Sequence, residues 1–180
     1  MKSFFNNKAQ TLINLEIKKG KIPKLIKINF NDYFKNKKKF LNKISVLFRN
    51  KKIIIRSSFS NEDTNRSSNA GKYESYLNIK YNDVNEIDLK IKRLSRLKNQ
   101  IRGENFFVQE MVKDVSFSGV VLTRNLENYT KCININFFDG KNTEAVTSGK
   151  TETKSILFFE NDRFKIPKKF LNIYLCVKEI

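Results

Sequence analysis

The sequence of 180 residues contains no histidine and no tryptophan, and it has only two cysteines and two prolines. Without histidine, the chain can form neither a Cys/His metal site nor an imidazole general base. Cys132 and Cys176 are far apart and lie in apolar, strand-like segments. That pattern is typical of buried packing residues in a reducing compartment, so we expect a cytoplasmic protein without a disulfide.

Long apolar runs are also absent. No stretch approaches the roughly 20 apolar residues that span a bilayer. The N-terminus has an early lysine but lacks the apolar segment of a signal peptide. We therefore expect no membrane partner. The length suits one domain with a substantial core and is short for two, so we predict a single domain over residues 1–180.

Acidic residues are few, with 18 Asp and Glu against 36 Lys and Arg and a formal net charge of +18. Such a balance would fit a nucleic-acid-binding protein. The lysines, however, are scattered along the chain among many Asn, Ile and Phe residues, without a concentrated basic tract. We predict a solvated basic surface, with weak nonspecific binding to polyanions and no specific nucleic-acid partner.

Hydrophobic spacing and turn residues predict helices and strands in the first hundred residues. The first predicted elements are a helix from Lys8 to Lys19 that ends at Gly20, a strand over 22–30, and a helix capped by Asn31 or Asp32 that extends to Phe48. Strands at Lys52–Ser57 and Tyr73–Ile79 and a helix from Asp83 or Asn85 to Ile101 follow. Short strands follow at Phe106–Val112, Gly119–Arg124, Cys132–Phe138 and Ser155–Phe159. Mixed helices and strands followed by antiparallel strands predict an α+β fold.

The most informative segment begins with an apolar, β-branched run that ends in Arg56, Ser57 and Ser58. A polar loop containing Gly71 and a second apolar strand follow. This order suits a polyphosphate, because a guanidinium binds phosphate oxygens in a bidentate fork. Backbone N–H groups beside a glycine can approach the same oxygens. An ordinary strand connection shows the same local pattern, so the functional interpretation depends on the rest of the chain.

Further blocks accompany this segment in a fixed order. They are Asn7-Lys8-Ala9 with Leu12 and Leu15, Ile22-Pro23, Glu62-Asp63, Ala70-Gly71 with Glu74-Ser75 and Leu77-Asn78, Val108–Val112, Ser118–Arg124, and Glu144–Gly149. Together with Arg56-Ser57-Ser58 they resemble the nucleotide-binding domain of phosphoenolpyruvate synthase and pyruvate phosphate dikinase. The short segment between Asn78 and Phe106 is similar to compact relatives in capsule biosynthesis, such as the glutamine kinase of capsular phosphoramidate synthesis.

The resemblance implies an ATP-grasp fold whose two lobes, at about 1–100 and 101–180, close over ATP. It also implies a role for each matching residue. Lys8 and Arg56 would contact the phosphates and act in phosphoryl transfer, the loop with Ser68 and Gly71 would cover them, the segment of Gln109, Glu110, Met111 and Val112 would bind adenine, and Glu144 would help to hold Mg²⁺. Because side chains alternate along a strand, only one of Gln109 and Glu110 can face the nucleotide.

Two features leave alternatives open. Glu62-Asp63 could hold a metal or bridge the lobes, but an acidic pair after a strand is more often a helix cap, which we favour. The sequence also departs from the family after Gly149, because the late acidic strand of the relatives, "DIE", is missing. We therefore expect a C-terminally incomplete domain with an apolar segment at 172–180 that has no packing partner.

The family passes its phosphoryl group through a histidine, and this chain has none. The resemblance therefore implies that a histidine-bearing carrier domain or chain supplies it, and that the chain alone is inactive in complete phosphotransfer. Two other functions remain open. One is a non-catalytic basic binding protein, which would not need the ordered blocks. The other is an ATP-grasp ligase. It is the weaker alternative, because the "RSS" and "VQxMV" motifs resemble those of the synthase and dikinase family.

Overall fold

The computed structural model describes residues 7–59, 74–97, 101–125, 127–149, 151–159 and 166–179, and it describes 63–64 and 67–68 as backbone only. The chain divides into two compact units, unit 1 from residues 1–15 and 22–111 and unit 2 from residues 16–21 and 112–180. Both contain helices and antiparallel sheets, so the α+β prediction is confirmed. Within the described ranges, no helix has the length and apolar character needed to cross a bilayer.

Unit 1 is built on a four-stranded antiparallel sheet in the order β1-β6-β2-β5. Its elements are α1 (Lys8–Asn14), β1 (Leu25–Asn29), α2 (Phe30–Lys35), α3 (Lys37–Leu47), β2 (Lys52–Ser58), β3 (Asp63–Thr64), β4 (Ser67–Ser68), β5 (Ser75–Lys80), α4 (Val84–Arg96) and β6 (Asn105–Glu110). β3 and β4 form a separate two-stranded antiparallel sheet.

The core of unit 1 lies between one face of this sheet and the helices α2, α3 and α4. Alternate strand residues point into it, because neighbouring side chains of a strand face opposite ways. The buried set includes Ile28, Ile53, Ile55, Ile79, Phe106 and Val108 from the strands and Phe30, Tyr33, Ile44, Ile87, Ile91 and Leu94 from the helices. α4 begins where the Asp83 side chain accepts a hydrogen bond from the Glu86 N–H at 2.9 Å.

A carboxylate on α4 ties these helices together. Asp88 accepts from the Tyr33 hydroxyl at 2.9 Å, and it forms ion pairs with Lys37 at 2.5 Å and Lys92 at 3.0 Å. Burial alone would raise the pKa of Asp88, but the hydrogen bonds from Lys37, Lys92 and Tyr33 lower it by more than burial raises it. The net pKa therefore lies below the ordinary value. Burial and the bond to Asp88 raise the pKa of Tyr33, which stays protonated.

Unit 2 contains a three-stranded antiparallel sheet in the order β7-β8-β9, covered on one face by a helix. Its elements are β7 (Phe117–Arg124), β8 (Lys131–Asp139), α5 (Ala145–Ser148), β9 (Lys154–Phe158) and α6 (Lys168–Lys178). Ile133, Ile135, Phe137 and Phe158 pack against Phe170 and Tyr174 of α6. A Cβ at Gly119 would lie 2.5 Å from the Asn136 carbonyl oxygen, so β7 can pack this closely only with glycine there.

Three predictions about helices were wrong. α1 ends at Asn14, not at Lys19, because residues 16–21 belong to unit 2, where the N–H groups of Lys18 and Lys19 donate to the Glu179 carboxylate at 2.6 and 3.1 Å. The helix predicted to extend to Phe48 is two helices, interrupted at Asn36, whose φ of −130° is not helical. It begins earlier than predicted, because the Asn29 side chain caps it.

The fourth helix and the last segment also differ from expectation. α4 ends at Arg96, five residues before the predicted end at Ile101. The segment at 172–180, expected to lack a packing partner, forms most of α6, an amphipathic helix that buries Phe170 and Tyr174 against the sheet of unit 2. Its apolar residues recur at helical spacing, a pattern that the sequence analysis overlooked.

Candidate functional site

Arg56 lies in a row of side chains that crosses the sheet of unit 1 on the face opposite its core. The strand register pairs Lys27 with Phe107, Phe107 with Arg56, and Arg56 with Ser75. The guanidinium carbon of Arg56 is 5.7 Å from the centre of the Phe107 ring, and its Nε donates to the Ser75 hydroxyl at 3.3 Å. A buried ring and a hydroxyl therefore hold the half-buried guanidinium in position.

Helix α1 is attached to the same face beside this row. The backbone N–H of Ala9 donates to the Ser58 hydroxyl at 2.9 Å, and that hydroxyl donates to the Asn7 side chain at 3.1 Å. Ser58 is two residues after Arg56, so both point to the same side of β2. The structure thus brings the Asn7-Lys8-Ala9 block and the Arg56-Ser57-Ser58 block together through a buried hydrogen bond.

A further contact fixes α1 over β1. Lys27 Nζ donates to the Gln10 side-chain oxygen at 2.5 Å, and the Asn7 side chain caps α1 by accepting from the Gln10 N–H at 3.1 Å. Lys8 is the first residue of this helix and is half-buried. The backbone of Lys8 is therefore anchored on the face that carries the cationic side chains of Arg56 and Lys27.

Gln109 and Glu110 lie on opposite faces of β6, as the alternation predicts. Gln109 pairs with Ile54 and is two residues from Phe107, which places it on the Arg56 face, and it is 7% exposed. Glu110 lies on the other face and forms an ion pair with Lys51 at 2.7 Å. Of the two, Gln109 is the residue on the face with the candidate phosphate contacts.

The backbone of the expected adenine-binding segment is partly engaged in the sheet. The N–H of Glu110 donates to the Lys24 carbonyl and that of Met111 donates to the Lys52 carbonyl, both at 2.9 Å. Val112, the first residue of unit 2 after this strand, is 55% exposed. The N–H groups of Glu110 and Met111 therefore already have backbone partners within unit 1.

Glu144 lies in unit 2, immediately before the four-residue helix α5, and it is exposed. Its backbone N–H donates to the Asn142 side chain at 3.0 Å, and Gly149 ends α5 with a positive φ of 65°. The described ranges contain no group of three or more His, Cys, Asp and Glu residues arranged to hold a metal ion. Glu144 alone supplies one carboxylate, and Mg²⁺ usually needs phosphates and waters in addition.

Several predicted residues cannot be placed. Gly71 and Glu62 lie outside the described residues. Ser68 belongs to β4 and Asp63 to β3, two strands for which only the backbone is described. Because Asp63 lies in a strand paired with β4, and no helix of the described ranges begins between β3 and β5, the helix cap favoured for Glu62-Asp63 was wrong for Asp63. The roles of Ser68 and Gly71 in covering phosphates stay predictions.

The sequence analysis assigned no role to four residues that shape this face, although Asn7 and Ser58 belong to its motif blocks. Ser58 anchors α1, Asn7 caps it, Phe107 supports Arg56, and Lys27 adds a second cation to the row. Alternation along β2 could have indicated Ser58, which shares the parity of Arg56. Phe107 and Lys27 could not be found in that way, because their position beside Arg56 depends on strand register.

One tyrosine beside the row has a perturbed pKa. Burial, followed by a hydrogen bond and the negative charge of Glu74, raises the pKa of Tyr76 to about 12, against the opposing charge of Arg93. Tyr76 therefore stays protonated at neutral pH and donates to the Glu74 carboxylate. Lys90 lies 4.7 Å from the centre of its ring. These contacts fix the start of β5, next to Ser75.

Comparisons with known proteins bear on unit 1. The comparison with curated proteins gives no match. Residues 6–93, just under half of the 180-residue chain, match the family model of the pyruvate phosphate dikinase AMP/ATP-binding domain. The match contains Lys8, Arg56 and Ser58 but not Gln109 or Glu144. It supports the family-level resemblance and nucleotide binding, and on this evidence the first half of the chain is similar to a pyruvate phosphate dikinase AMP/ATP-binding domain.

Proposed function

We propose that the chain is the ATP-binding part of a phosphotransferase related to pyruvate phosphate dikinase and phosphoenolpyruvate synthase. The observation that carries this proposal is the joining of two motif blocks on one sheet face, where the Ala9 N–H donates to Ser58 beside Arg56. Local sequence does not require residues 49 positions apart to meet. Their meeting within the segment that matches an AMP/ATP-binding domain supports a shared phosphate site.

In this proposal the cations of the face bind the phosphates. Arg56 offers a planar fork of donors, preorganised by Phe107 and Ser75, so little side-chain entropy is lost on binding. Lys8 adds a point charge from the start of α1, and the loop with Ser68 and Gly71 covers the phosphates. Gln109 and the carbonyl groups of Met111 and Val112 contact the adenine end.

The finer parts of the proposal concern fold and metal. The two units would be the lobes of an ATP-grasp fold, and Mg²⁺ would accompany ATP. Glu144 would contribute a carboxylate to that ion together with phosphate oxygens and water, which is the ligand set that Mg²⁺ commonly takes when it is bound with a nucleotide. The ion would neutralise phosphate charge, whereas Arg56 and Lys8 would orient the chain of phosphates.

The phosphoryl acceptor would be a histidine on another domain or chain, since this sequence contains none. We propose a cytoplasmic setting, consistent with ATP as the donor and with free thiols at Cys132 and Cys176. A role in capsule biosynthesis, with glutamine or pyruvate as the final acceptor, is the more specific form of the proposal. Specific nucleic-acid binding is not part of it.

Isothermal titration calorimetry with ATP and Mg²⁺ tests the central assignment. Arg56→Ala should weaken binding by about one to two orders of magnitude, because a charge-assisted contact to phosphate is lost. Arg56→Lys should recover part of the affinity, since it restores the charge but not the fork. Arg49→Ala is the matched control, because it removes an exposed arginine of the same unit at the end of α3.

Circular dichroism should show that all three variants are folded. Equal nucleotide affinity of the wild type and Arg56→Ala would refute the role of Arg56, and equal losses in Arg56→Ala and Arg49→Ala would reduce the effect to net charge. The acceptor is tested with labelled ATP, by adding a histidine-bearing phosphocarrier domain of the synthase and dikinase family. Label should reach the carrier only when both proteins are present, and repeated turnover onto glutamine or pyruvate without the carrier would contradict this part.

A further inference from the structure

Unit 2 contains a pocket whose lining includes Thr123 and Arg124, the end of the Ser118–Arg124 block, to which the resemblance assigns no role. Its volume is about 510 Å³, within the range of small-molecule sites. The described residues that line it, all in unit 2, are Thr123, Arg124, Lys131, Cys132, Ile133, Phe158, Phe159, Tyr174, Val177 and Lys178. We call it the basic-rimmed pocket, since three of these residues are cations and none is an acid.

The floor of the pocket is apolar and firmly held. Ile133 of β8 and Phe158 of β9 are paired across the sheet and are 7% and 4% exposed. Tyr174 of α6 is 4% exposed and packs in the same cluster, with Val177 one turn later. The aromatic ring of Phe159 is 51% exposed at the margin. A ligand with an apolar body could therefore bury that body against preformed aromatic and aliphatic surface.

The rim carries concentrated positive charge. Arg124 and Lys131 are direct partners across β7 and β8, an arrangement in which like charges repel each other. The Arg124 guanidinium donates to the Tyr129 carbonyl at 3.1 Å, which fixes it beside Lys131. Lys178 approaches from α6, with Nζ 5.7 Å from the centre of the Tyr174 ring. An anion at this rim would relieve the repulsion and gain charge-assisted hydrogen bonds.

We propose that the basic-rimmed pocket binds a small amphipathic carboxylate, with the carboxylate at Arg124 and Lys131 and the apolar body on Ile133, Phe158 and Tyr174. The proposal goes beyond the ATP site, because the residues with candidate phosphate contacts, Lys8 and Arg56, lie in unit 1. The charge pattern selects the sign of the ligand, and the apolar floor selects against small inorganic anions.

Cys132 provides a probe, because it is a free cysteine, is among the residues that line the pocket, and is 5% exposed. Cys176, the second of the two cysteines, is not part of this lining and serves as an internal control. The full chain is treated with N-ethylmaleimide with and without decanoate, and labelling of each cysteine is followed by mass spectrometry. Decanoate should slow the labelling of Cys132 severalfold and leave that of Cys176 unchanged.

Calorimetry with decanoate gives the affinity and the role of charge. The double variant Arg124→Gln, Lys131→Gln should lose about tenfold or more, whereas Lys154→Gln, which removes an exposed cation of β9 outside the pocket, should change little. Arg56→Ala should retain decanoate binding, so failure of the ATP proposal and failure of this one are distinguishable. Decanol, which lacks the charge, should bind much more weakly.

Three results would overturn the proposal. Decanoate could leave Cys132 labelling unchanged, which would show that it does not enter the pocket. Decanol could protect Cys132 as well as decanoate does, which would show an apolar slot without selection for an anion. Lys154→Gln could weaken decanoate binding as much as the double variant does, which would show attraction to net charge alone.

Discussion

The hydrogen bond between Ala9 and Ser58 offers the sharpest test of how the candidate site is assembled. The Ser58 side chain is fully buried, and its hydroxyl both accepts from the Ala9 N–H at 2.9 Å and donates to Asn7 at 3.1 Å. Ser58→Ala removes both bonds and leaves a buried backbone N–H without this partner. Such a loss costs about 1–3 kcal/mol, because the donor is kept from water without compensation.

The matched control is Ser57→Ala. Ser57 is 3% exposed and pairs with Phe106, so it lies on the core side of the same strand, away from α1. Both variants remove one hydroxyl from adjacent buried positions, but only Ser58→Ala should release α1. We expect amide hydrogen exchange at Ala9 to become faster by roughly fivefold to 150-fold in Ser58→Ala, the range that corresponds to about 1–3 kcal/mol. Ser57→Ala should leave exchange at Ala9 nearly unchanged.

The assay is amide hydrogen exchange, measured for each residue on isotopically labelled protein. It reports the local opening of α1, which probes of global unfolding do not detect. Unchanged exchange at Ala9 in Ser58→Ala, with the fold intact, would refute the anchoring. Nucleotide affinity is the second readout and depends on the proposed function. If exchange rises and ATP affinity stays the same, the anchor is real but Lys8 does not contribute to ATP binding.

Two further predictions concern the core of each unit. Asp88→Asn should lower the free energy of unfolding at pH 7 by about 1–3 kcal/mol, because the charged bonds to Lys37 and Lys92 are lost. The folded pKa of Asp88 is lowered, so the stability that its charge contributes is complete above the unfolded pKa of about 3.9 and disappears as pH falls through the folded pKa. Denaturant titrations of the wild type and the variant should therefore converge in acid. A difference that stays constant with pH would contradict the assignment. Gly119→Ala should destabilise unit 2 by about 1–3 kcal/mol, because the new Cβ would lie 2.5 Å from a backbone oxygen. Val120→Ala, a partly exposed neighbour on β7, should cost less in the same titration, and the reverse order would contradict the steric argument.

Local patterns predicted the elements whose signals are contained in a few residues. β2 was predicted at Lys52–Ser57 and observed at Lys52–Ser58, and β8 was predicted at Cys132–Phe138 and observed at Lys131–Asp139. The start of α4 follows from the Asp83 cap and from isoleucine and leucine at helical spacing. Such signals require no knowledge of distant residues, because alternation and capping operate within one turn or one strand.

Elements whose limits depend on distant contacts were not predictable in this way. The sequence after Asn14 continues with apolar residues at helical spacing, yet the chain leaves the helix, and the N–H groups of Lys18 and Lys19 bond to Glu179, more than 150 positions away. The neighbours of Arg56 are a similar case. Arg56 itself was identified from the end of a strand, whereas Lys27 and Phe107 join it only through the register of β1, β6 and β2.

The irregularity of β5 shows how the fold sets the surroundings of Arg56. Lys52 pairs with Lys80 and Ile53 with Ile79, a register that would place Tyr76 opposite Arg56 if it continued. It shifts by one residue before Ile55, near Asn78, whose φ is 62°, so that Ser75 is the observed partner. Asparagine tolerates this left-handed conformation better than most residues do. The bulge thus places a hydroxyl beside the guanidinium instead of an aromatic ring, and Asn78 of the Leu77-Asn78 block acts on the candidate site through backbone geometry.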